Sequence, residues 1–568
     1  MYEKEPKWEL PGSDIEKIAE QLIRERPMPE HFARMLAMRN LKSMAEAEAY
    51  VQPAMEDLRD PFLMKDMEKG VKRLRQALDS GEKVMVMGDY DVDGVCGTAL
   101  FVRVISNFGI KVGYHVPDRF KEGYGVSREG IHHALEFGAS LIVSVDSGIT
   151  AVDEVEYAHS KGLDVIITDH HEPQAKLPNA LAVIDPKRAD CNYPFRELAG
   201  VGVMFKFLQA VYMNVDMNPE ELFEELDLVA LGTAADVVPL VDENRVLTRF
   251  GIERMRNTAN TGLVALMEVS GSARGRATSN NIIFSLAPRL NAPGRLSSAS
   301  KTVDLLISEN WMRALKIAED IEEENMVRRK MNDRVYVDAE EMLTNDTSDM
   351  LSSGIVLASQ EWHQGVIGIA ASRLVEKYYL PTVLISLEGD TGKGSARSIK
   401  EFDIIDAMGQ CEDILENYGG HKYAVGLSIK TERIDEFRDK FLSIIRNSMK
   451  DGLPAPSYTI DSELDLSYVN DKLIKFLEKM APFGEGNPMP LFLTRDLRPV
   501  NNSRIVGKNH LKFKVTDGSK MFNVIAYNMG QYRDRVKIGA PPIDLLYNVE
   551  ENEWMGKTSI QLVAKAIR

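Results

Sequence analysis

Between Lys83 and Asp185 five short apolar runs, KVMVM (83–87), KVGYHV (111–116), LIVSV (141–145), DVIIT (164–168) and LAVID (181–185), alternate with helix-like stretches. VCGTALFVRVISNF (95–108) and AVDEVEYAHSKG (151–162) are two of those stretches. Strands of this length interleaved with helices predict βαβ units and a largely parallel sheet. Ligands of such sheets sit outside the carboxyl ends of the strands, so chemistry is expected there.

The strongest chemical signal stands at the first of those ends. GDYDVDG (88–94) follows KVMVM directly and sets Asp89, Asp91 and Asp93 at alternate positions of a loop closed by Gly94. Carboxylates crowded in this way repel one another unless a cation neutralises them. Hard divalent ions such as Mg or Mn prefer oxygen-rich sites. A solvated acidic turn and a DxDxDG calcium loop are the rival readings. The calcium loop requires a preceding helix and a bidentate Glu six residues after the Gly, where this chain has a strand and Leu100. LIVSV then runs into Asp146, and DVIIT into Asp169, His170 and His171. Singly, each has an ordinary explanation: a helix cap for an Asp, a surface or core position for a His pair. Together they converge on one crevice, and Asp236, in LGTAADVVPL, is a further candidate at the end of a helical segment.

The rest of the chain divides by pattern. Residues 1–78 read as a helical N-terminal extension with breaks at Pro27, Pro29, Pro53 and Pro61. Residues 79–302 hold the parallel-sheet pattern and further helices. Residues 303–348 read as one or two long charged helices without Gly or Pro, hence a rigid connector. A second βα pattern occupies 349–450, with GIVLAS, TVLISL and AVGLSI as strands and helices near GVIGIAASRLVEKY and FDIIDAMGQCEDIL. After DGLPAP (451–456), residues 457–568 turn to short alternating strands, HLKFKV, FNVIAY, IDLLYNV and SIQLVAKAI, which predict a terminal all-β barrel.

Length and composition agree with this division. A chain of 568 residues, 44% hydrophobic and 27% charged, is of ordinary globular type and long enough for several domains. Cys96, Cys191 and Cys411 lie far apart and form no CxxC, which speaks against a disulfide framework or zinc knuckle and fits a reducing compartment. The start MYEKEPKWELPGSD lacks the basic and apolar regions of a signal peptide, and no run of 18 apolar residues occurs; a cytoplasmic protein without membrane contact is expected. The net charge of −17 argues at face value against a polyanionic partner. It is unevenly spread, with 13 Lys+Arg against 7 Asp+Glu over 491–568, so the balance is +6 there and −23 over 1–490.

The ordered set DYDVDG, VDSGI, TDHH, GTAADVVPL, APRLNAPGRL, EWHQGVIGIAASRL, KGSARSI and GGHKYAVGLSI, then APFGEGNP, HLKFKV and SIQLVAKAIR, resembles the DHH phosphoesterase superfamily. Within it the chain resembles the RecJ branch of single-strand-specific 5' exonucleases, from about Lys83 to Arg568. The resemblance implies an α/β fold: a parallel-sheet DHH catalytic domain, a long helical connector, a second α/β DHH-associated domain and a C-terminal all-β OB-fold barrel. It implies that Asp93, Asp146, His170 and Asp236 hold one metal ion, and that Asp91 and the bridging Asp146, with Asp89 nearby, serve a second. His171 would face the scissile phosphate or stiffen the site. In relatives with a His four residues before the middle Asp that His is a ligand; Met87, a soft thioether, stands there in this chain. Two ions, Mn2+ or Mg2+, would activate water and stabilise the leaving oxygen without a Ser or Cys nucleophile.

By the same resemblance Arg119, in PDRFKEGYG, with Ser395 and Arg397, in KGSARS, clasps a terminal 5' phosphate, which Arg can bind bidentately. Tyr124 is available to stack on a base. Arg289 and Arg295 are expected to line the strand path on the connector side, and His421 to line it where a Gly pair permits close approach. His363 precedes Gly365 at a helix start, either beside a phosphate or as a cap. In the barrel Lys508, Lys512 and Lys514 are expected to hold the strand, with Tyr527 as a stacking residue, while strand alternation assigns Phe513 to the core.

The implied activity is 5' to 3' exonucleolytic hydrolysis of single-stranded DNA to 5'-mononucleotides, in repair and recombination. A single-strand-binding protein and a helicase are the expected partners, and the chain is expected to act as a monomer. Two alternatives stand beside it. One is a nano-RNase or cyclic-dinucleotide phosphodiesterase of the same superfamily, for which a long connector and barrel serve no purpose. The other is a non-catalytic DHH replication scaffold, against which the retained acids and histidines speak.

Overall fold

The computed structural model describes residues 5–345, 350–450, 452–554 and 557–568. Its first sheet is built from β1 (Val84–Gly88), β2 (Val112–His115), β3 (Leu141–Val145), β4 (Asp164–Thr168) and β5 (Ala182–Ile184). All pairings are parallel, in the order β2-β1-β3-β4-β5. Both faces of the central strands β1 and β3 are covered, which is why those strands are almost wholly apolar. Val84 and Val86 face one core with Leu100 and Phe205; Met85 and Met87 face the other with Ile131 and Val155. Register then fixes the site: Gly88 pairs with Val145 and Val145 with Thr168, so Asp89, Asp146 and Asp169 leave the sheet side by side.

The connector is two helices, Ser300–Leu306 and Trp311–Asn345. The second, of 35 residues, is roughly 50 Å long at 1.5 Å per residue. Its buried positions recur at helical spacing in one stripe. Ala314, Ala318 and Ile321 enter the catalytic core, whereas Val335, Ala339 and Leu343 enter the next one. A single continuous helix therefore fixes the spacing of two cores.

The second sheet consists of β6 (Ile355–Ser359), β7 (Thr382–Glu388), β8 (Thr391–Arg397), β9 (Leu415–His421) and β10 (Ala424–Lys430), in the order β9-β10-β8-β7-β6. Only β6 and β7 are parallel; the others are antiparallel, so the sheet is mixed. The helix expected over FDIIDAMGQCEDIL is confined to Ile404–Gly409, because the chain from Leu415 is taken into β9. Gly426 pairs with Ser395, and Ala424 with both Arg397 and His421, which sets the GGH segment on the edge strand, one strand removed from the KGSARS strand.

The C-terminal sheet has seven strands, and extra pairing between Phe492–Pro499 and His510–Thr516 closes it into a barrel. Phe513 is in its core. The N-terminal extension packs on this barrel. Strand Lys7–Glu9 pairs with Ser457–Thr459, Phe32 stacks on Phe476 at 4.2 Å, Tyr50 Oη donates to the Met480 carbonyl, and Arg39 is paired with Asp461. Helix Met67–Ser80, by contrast, buries Met67, Val71 and Leu74 in the catalytic core, ahead of the boundary expected at 79. Among the described residues no helix is long and apolar enough to cross a membrane.

Candidate active site

Each acid at the sheet edge is held differently. Asp91 caps helix Val92–Ser106, its Oδ1 accepting from the amides of Asp93 (2.9 Å) and Gly94 (3.2 Å). Asp93, in the first turn of that helix, is fully buried. Both of its oxygens accept from the start of helix Gly200–Asn214, Oδ2 from Gly200 N at 2.6 Å and Oδ1 from Val201 N at 2.9 Å. These amides belong to the unpaired donors of a helix N-terminus, a natural seat for an anion. Asp146 takes left-handed backbone, φ 56, as the chain leaves β3. Asp236 ends helix Leu226–Ala235 and is followed by Val237 at φ 62, a conformation that β-branched residues avoid and that turns the chain sharply at the carboxylate.

Asp169 differs from its neighbours. Its Oδ1 accepts from the amides of His170 and His171 and from His171 Nδ1 (2.8 Å), and its Oδ2 accepts from Ile149 N (2.8 Å). Burial alone would raise this carboxyl, but the hydrogen bond and charge of His171 outweigh it and hold it below the usual range. It is an anchor for His171, whose own pKa is raised by that bond against the effect of burial.

The remaining groups gather into clusters whose ligand atoms lie within 4.8 Å of one another: Asp93, His170 and Asp236; Asp89, Asp91 and Asp146; Asp146, His170 and His171. Asp146 joins the first two, with its Oδ1 3.0 Å from His170 Nε2. His170 Nε2 is 3.6 Å from Asp236 and 3.9 Å from Asp93. Asp89 Oδ1, Asp146 Oδ1 and His170 Nε2 are buried without a hydrogen-bond partner. Burial first, and mutual repulsion second, push Asp93 up to about 7 and raise Asp89, Asp146 and Asp236 well above the carboxylate range. Burial also pushes His170 down to about 3, leaving it a neutral donor of lone pairs. Orphaned oxygens and a neutral imidazole converging on two shared points suit hard divalent cations. Met87 takes no part; it is packed in the core behind the sheet with Ile131, near His115.

Opposite this acidic edge lies a cluster of cations. Arg119 sits 4.8 Å over the ring of Tyr90, a residue of the GDYDVDG loop. Arg397 donates to Ser395 Oγ at 2.9 Å, and Arg295 to the Gly365 carbonyl at 3.2 Å. Burial, then the charges of Arg119, Arg328 and Arg397, push Arg295 down to about 10, and burial followed by Arg119 lowers Arg397. Among the described residues none of the three guanidinium groups forms an ion pair. Like charges held together without counter-charge make a site for an anion.

Of the other expected positions, one proves different. Arg289 does not line a path: it is buried, bound to Glu322 at 2.5 Å and to the Ser285 carbonyl at 2.7 Å, and braces the helix that carries Arg295. Tyr124 is tethered by its hydroxyl to the Asp146 carbonyl (2.8 Å) and His171, with its ring half exposed. His363 caps helix Gln364–Tyr378 through Gly365 N and meets Phe120 edge-on at 6.0 Å. Lys508 is exposed, Lys512 and Lys514 are partly exposed on one face of their strand, and Arg504 pairs in register with Lys512. Tyr527 is exposed and lies edge-on to His510. The amides of Gly200 and Val201, the role of Tyr90 and the presence of Arg504 escape sequence reading; the one signal is the GVG that opens an apolar helix.

Acids and a histidine pair delivered by successive ends of a parallel sheet, with metal-sized gaps between them, define a metal-dependent phosphoesterase of the DHH type. The DHH family N-terminal domain matches residues 83–233, the DHHA1 domain 351–447 and the RecJ OB domain 460–566. The chain is 36% identical to the single-stranded-DNA-specific exonuclease RecJ of Bacillus subtilis over 569 residues, covering all of this chain and 71% of that protein. It is 34% identical to RecJ of Escherichia coli, covering 94% and 95% of the two. Crystal structures of RecJ from Thermus thermophilus in complex with Mn2+ and with Mg2+ superpose with TM-scores of 0.83 and 0.77 at 27% and 25% identity. Both cover 99% of this chain, and 79% and 78% of theirs. The chain belongs to the RecJ family of single-stranded-DNA-specific exonucleases.

Proposed function

We propose that the protein hydrolyses single-stranded DNA from its 5' end, releasing 5'-mononucleotides by two-metal catalysis, in repair and recombination. The observation that carries this reading is the pairing of a cation-demanding acidic edge with an unpaired arginine cluster across one loop, Tyr90 touching both. Asp93, Asp146, His170 and Asp236 would hold one ion; Asp91 and Asp146, with Asp89, the other. Mn2+ or Mg2+ bound there would polarise the phosphodiester, lower the pKa of the attacking water and neutralise the leaving oxygen.

The chain's own residues do the rest. Gly200 and Val201 fix the Asp93 carboxylate, and Asp169 fixes His171 toward the reacting phosphate. Arg119, Arg397 and Ser395 take the terminal phosphate, with Arg295 adding charge behind them, so the strand end is held across the Tyr90 loop from the acids. His421 lines the sheet edge one strand beyond Arg397, across Ala424. Lys508, Lys512 and Lys514 of the barrel hold the trailing strand, with Tyr527 offering a stacking face. Digestion of 5'-phosphorylated, 3'-labelled single strands with and without Mn2+ tests polarity, substrate and metal together. Asp91→Ala and His170→Ala are expected to abolish nucleotide release while single strands still bind; undiminished hydrolysis by either overturns the assignment.

A further inference from the structure

The segment between β2 and helix Arg128–Phe137 carries three groups that face the cleft: Arg119 over Tyr90, Phe120 against His363, and Tyr124 on His171. It contains no strand or helix of its own, yet Arg119 must be held where it is against repulsion from Arg295 and Arg397. Its own backbone supplies one turn, in which the Asp118 carbonyl accepts from the amides of Lys121 (3.2 Å), Glu122 (2.8 Å) and Gly123 (3.3 Å). The Asp118 side chain adds a second restraint, its Oδ1 accepting from the amides of Phe120 (2.9 Å) and Lys121 (3.3 Å), and the Glu122 side chain adds a third. Glu122 turns back so that Oε1 accepts from Asp118 N at 2.9 Å, closing the five residues 118–122 into a ring from which Arg119 projects. Its Oε2 reaches both ends of the segment at once, lying 2.8 Å from His115 Nε2 on β2 and accepting from Ser127 Oγ at 2.6 Å. Ser127 caps the following helix through Gly130 N, and His115 Nδ1 lies 2.9 Å from His133 Nδ1 on that same helix. Among the described residues, no other side chain ties the loop to both its flanks.

We infer that Glu122 is a positioning residue for the arginine that grips the terminal phosphate: it makes the 118–124 loop a rigid bracket, so that the enzyme's preference for a phosphorylated 5' end depends on a carboxylate that never touches the strand. The inference rests on the proposed clasp. Glu122 does not contact the acid cluster, whose nearest loop partner, Tyr124, is tethered separately to the Asp146 carbonyl. Loosening the bracket therefore acts on capture of the end and leaves the acids in place.

The experiment compares the full chain with Glu122→Ala, Glu122→Gln, Arg119→Ala and the Glu122→Ala/Arg119→Ala double variant, using Mn2+ and 5'-phosphorylated against 5'-hydroxyl single strands of one sequence. Charge-assisted contacts of Arg to phosphate imply a loss of preference on the order of 10- to 100-fold for Arg119→Ala. Glu122→Ala is expected to lose the same preference through KM rather than kcat. The double variant should be no worse than Arg119→Ala, and Glu122→Gln, which keeps an acceptor for Asp118 N, should fall between. Mn2+ affinity by calorimetry should match the parent in all four, which a general collapse of the site would not allow. If Arg119→Ala loses the preference while Glu122→Ala keeps it, or if the two losses multiply in the double variant, the positioning role is overturned. If Arg119→Ala itself keeps the preference, the clasp reading is what fails, and this inference with it.

Discussion

Gly200 and Gly202 open one helix, two residues apart, and the structure assigns them opposite sensitivities. A Cβ on Gly200 would stand 2.6 Å from Asp146 Cβ, 2.7 Å from its Oδ1 and 2.8 Å from its Cγ, whereas one on Gly202 would meet Leu198 Cδ2 at 3.4 Å. Ordinary carbon contacts begin near 3.4 Å, so Gly200→Ala needs a displacement of about 0.8 Å. Asp146 has little room to supply it, since its backbone is left-handed and its carbonyl is held by Tyr124. If the helix retreats instead, the Gly200 and Val201 amides leave the Asp93 carboxylate. Either route moves a carboxylate of the acid cluster by more than the ~0.5 Å that catalytic geometry tolerates. A misplacement of this size costs about 10²-fold in rate, near 3 kcal/mol of barrier. Gly202→Ala should leave the rate unchanged and add about 0.5–1 kcal/mol of helix stability. Initial rates on 3'-labelled single strands with saturating Mn2+, together with Mn2+ titration calorimetry, compare the pair. A Gly200→Ala enzyme within about threefold of the parent would refute the claim that this helix start sets the acid geometry.

Asp169→Asn is expected to cost about 10- to 100-fold in rate. Both Asp169 oxygens already accept from N–H groups, so an amide NH2 on either side faces a donor and releases His171, which should register in kcat with Mn2+ affinity little changed. Lys206→Met is expected to destabilise the catalytic domain by about 1–3 kcal/mol, because it removes the cation 3.2 Å from the fully buried Glu243 and leaves it Arg59 at 3.5 Å as counter-charge. Adding Glu243→Gln should return part of that in urea unfolding. Lys512→Ala combined with Lys514→Ala should flatten the salt dependence of single-strand binding by about 1.4 in the slope of log K on log salt, near 0.7 for each phosphate that a lysine no longer neutralises. An unchanged slope would remove both lysines from the strand path.

The catalytic sheet and its acids are legible in the sequence because their determinants are local. A buried parallel strand is a contiguous apolar run, and the acid that follows it is placed by register alone, as Gly88, Val145 and Thr168 demonstrate. The second sheet is less legible for the same reason. β9, LENYGGH, is a largely exposed edge strand with no apolar pattern, and only its pairing with β10 makes it a strand, at the expense of the predicted helix. Arg289 and Arg295 sit six residues apart in one motif, yet Glu322, thirty-three residues beyond Arg289, claims that side chain, whereas Arg295 donates to the Gly365 carbonyl and forms no ion pair among the described residues. The docking of the N-terminal extension uses long-range contacts such as Phe32 on Phe476, which no local pattern announces.

The charge split acquires a physical meaning once the site is placed. The −23 of residues 1–490 counts every carboxyl as ionised. Burial, followed by the charge of Asp169, pushes Asp185 up to about 8, and burial with neighbouring carboxylates pushes Asp93 up to about 7 and Asp89, Asp146 and Asp236 well above the usual range. Burial thus disfavours the charged form of these carboxyls, and a divalent ion held among Asp89, Asp93, Asp146 and Asp236 would offset the charge they carry. The formal sum thus overstates the field that an approaching strand meets at the cleft. Against that field stand Arg119, Arg295 and Arg397, which form no ion pair among the described residues, and the +6 of residues 491–568. Where carboxylates at a sheet edge are offset by burial and by bound cations, an acidic chain can bind a polyanion by placing a few unpaired cations along its path.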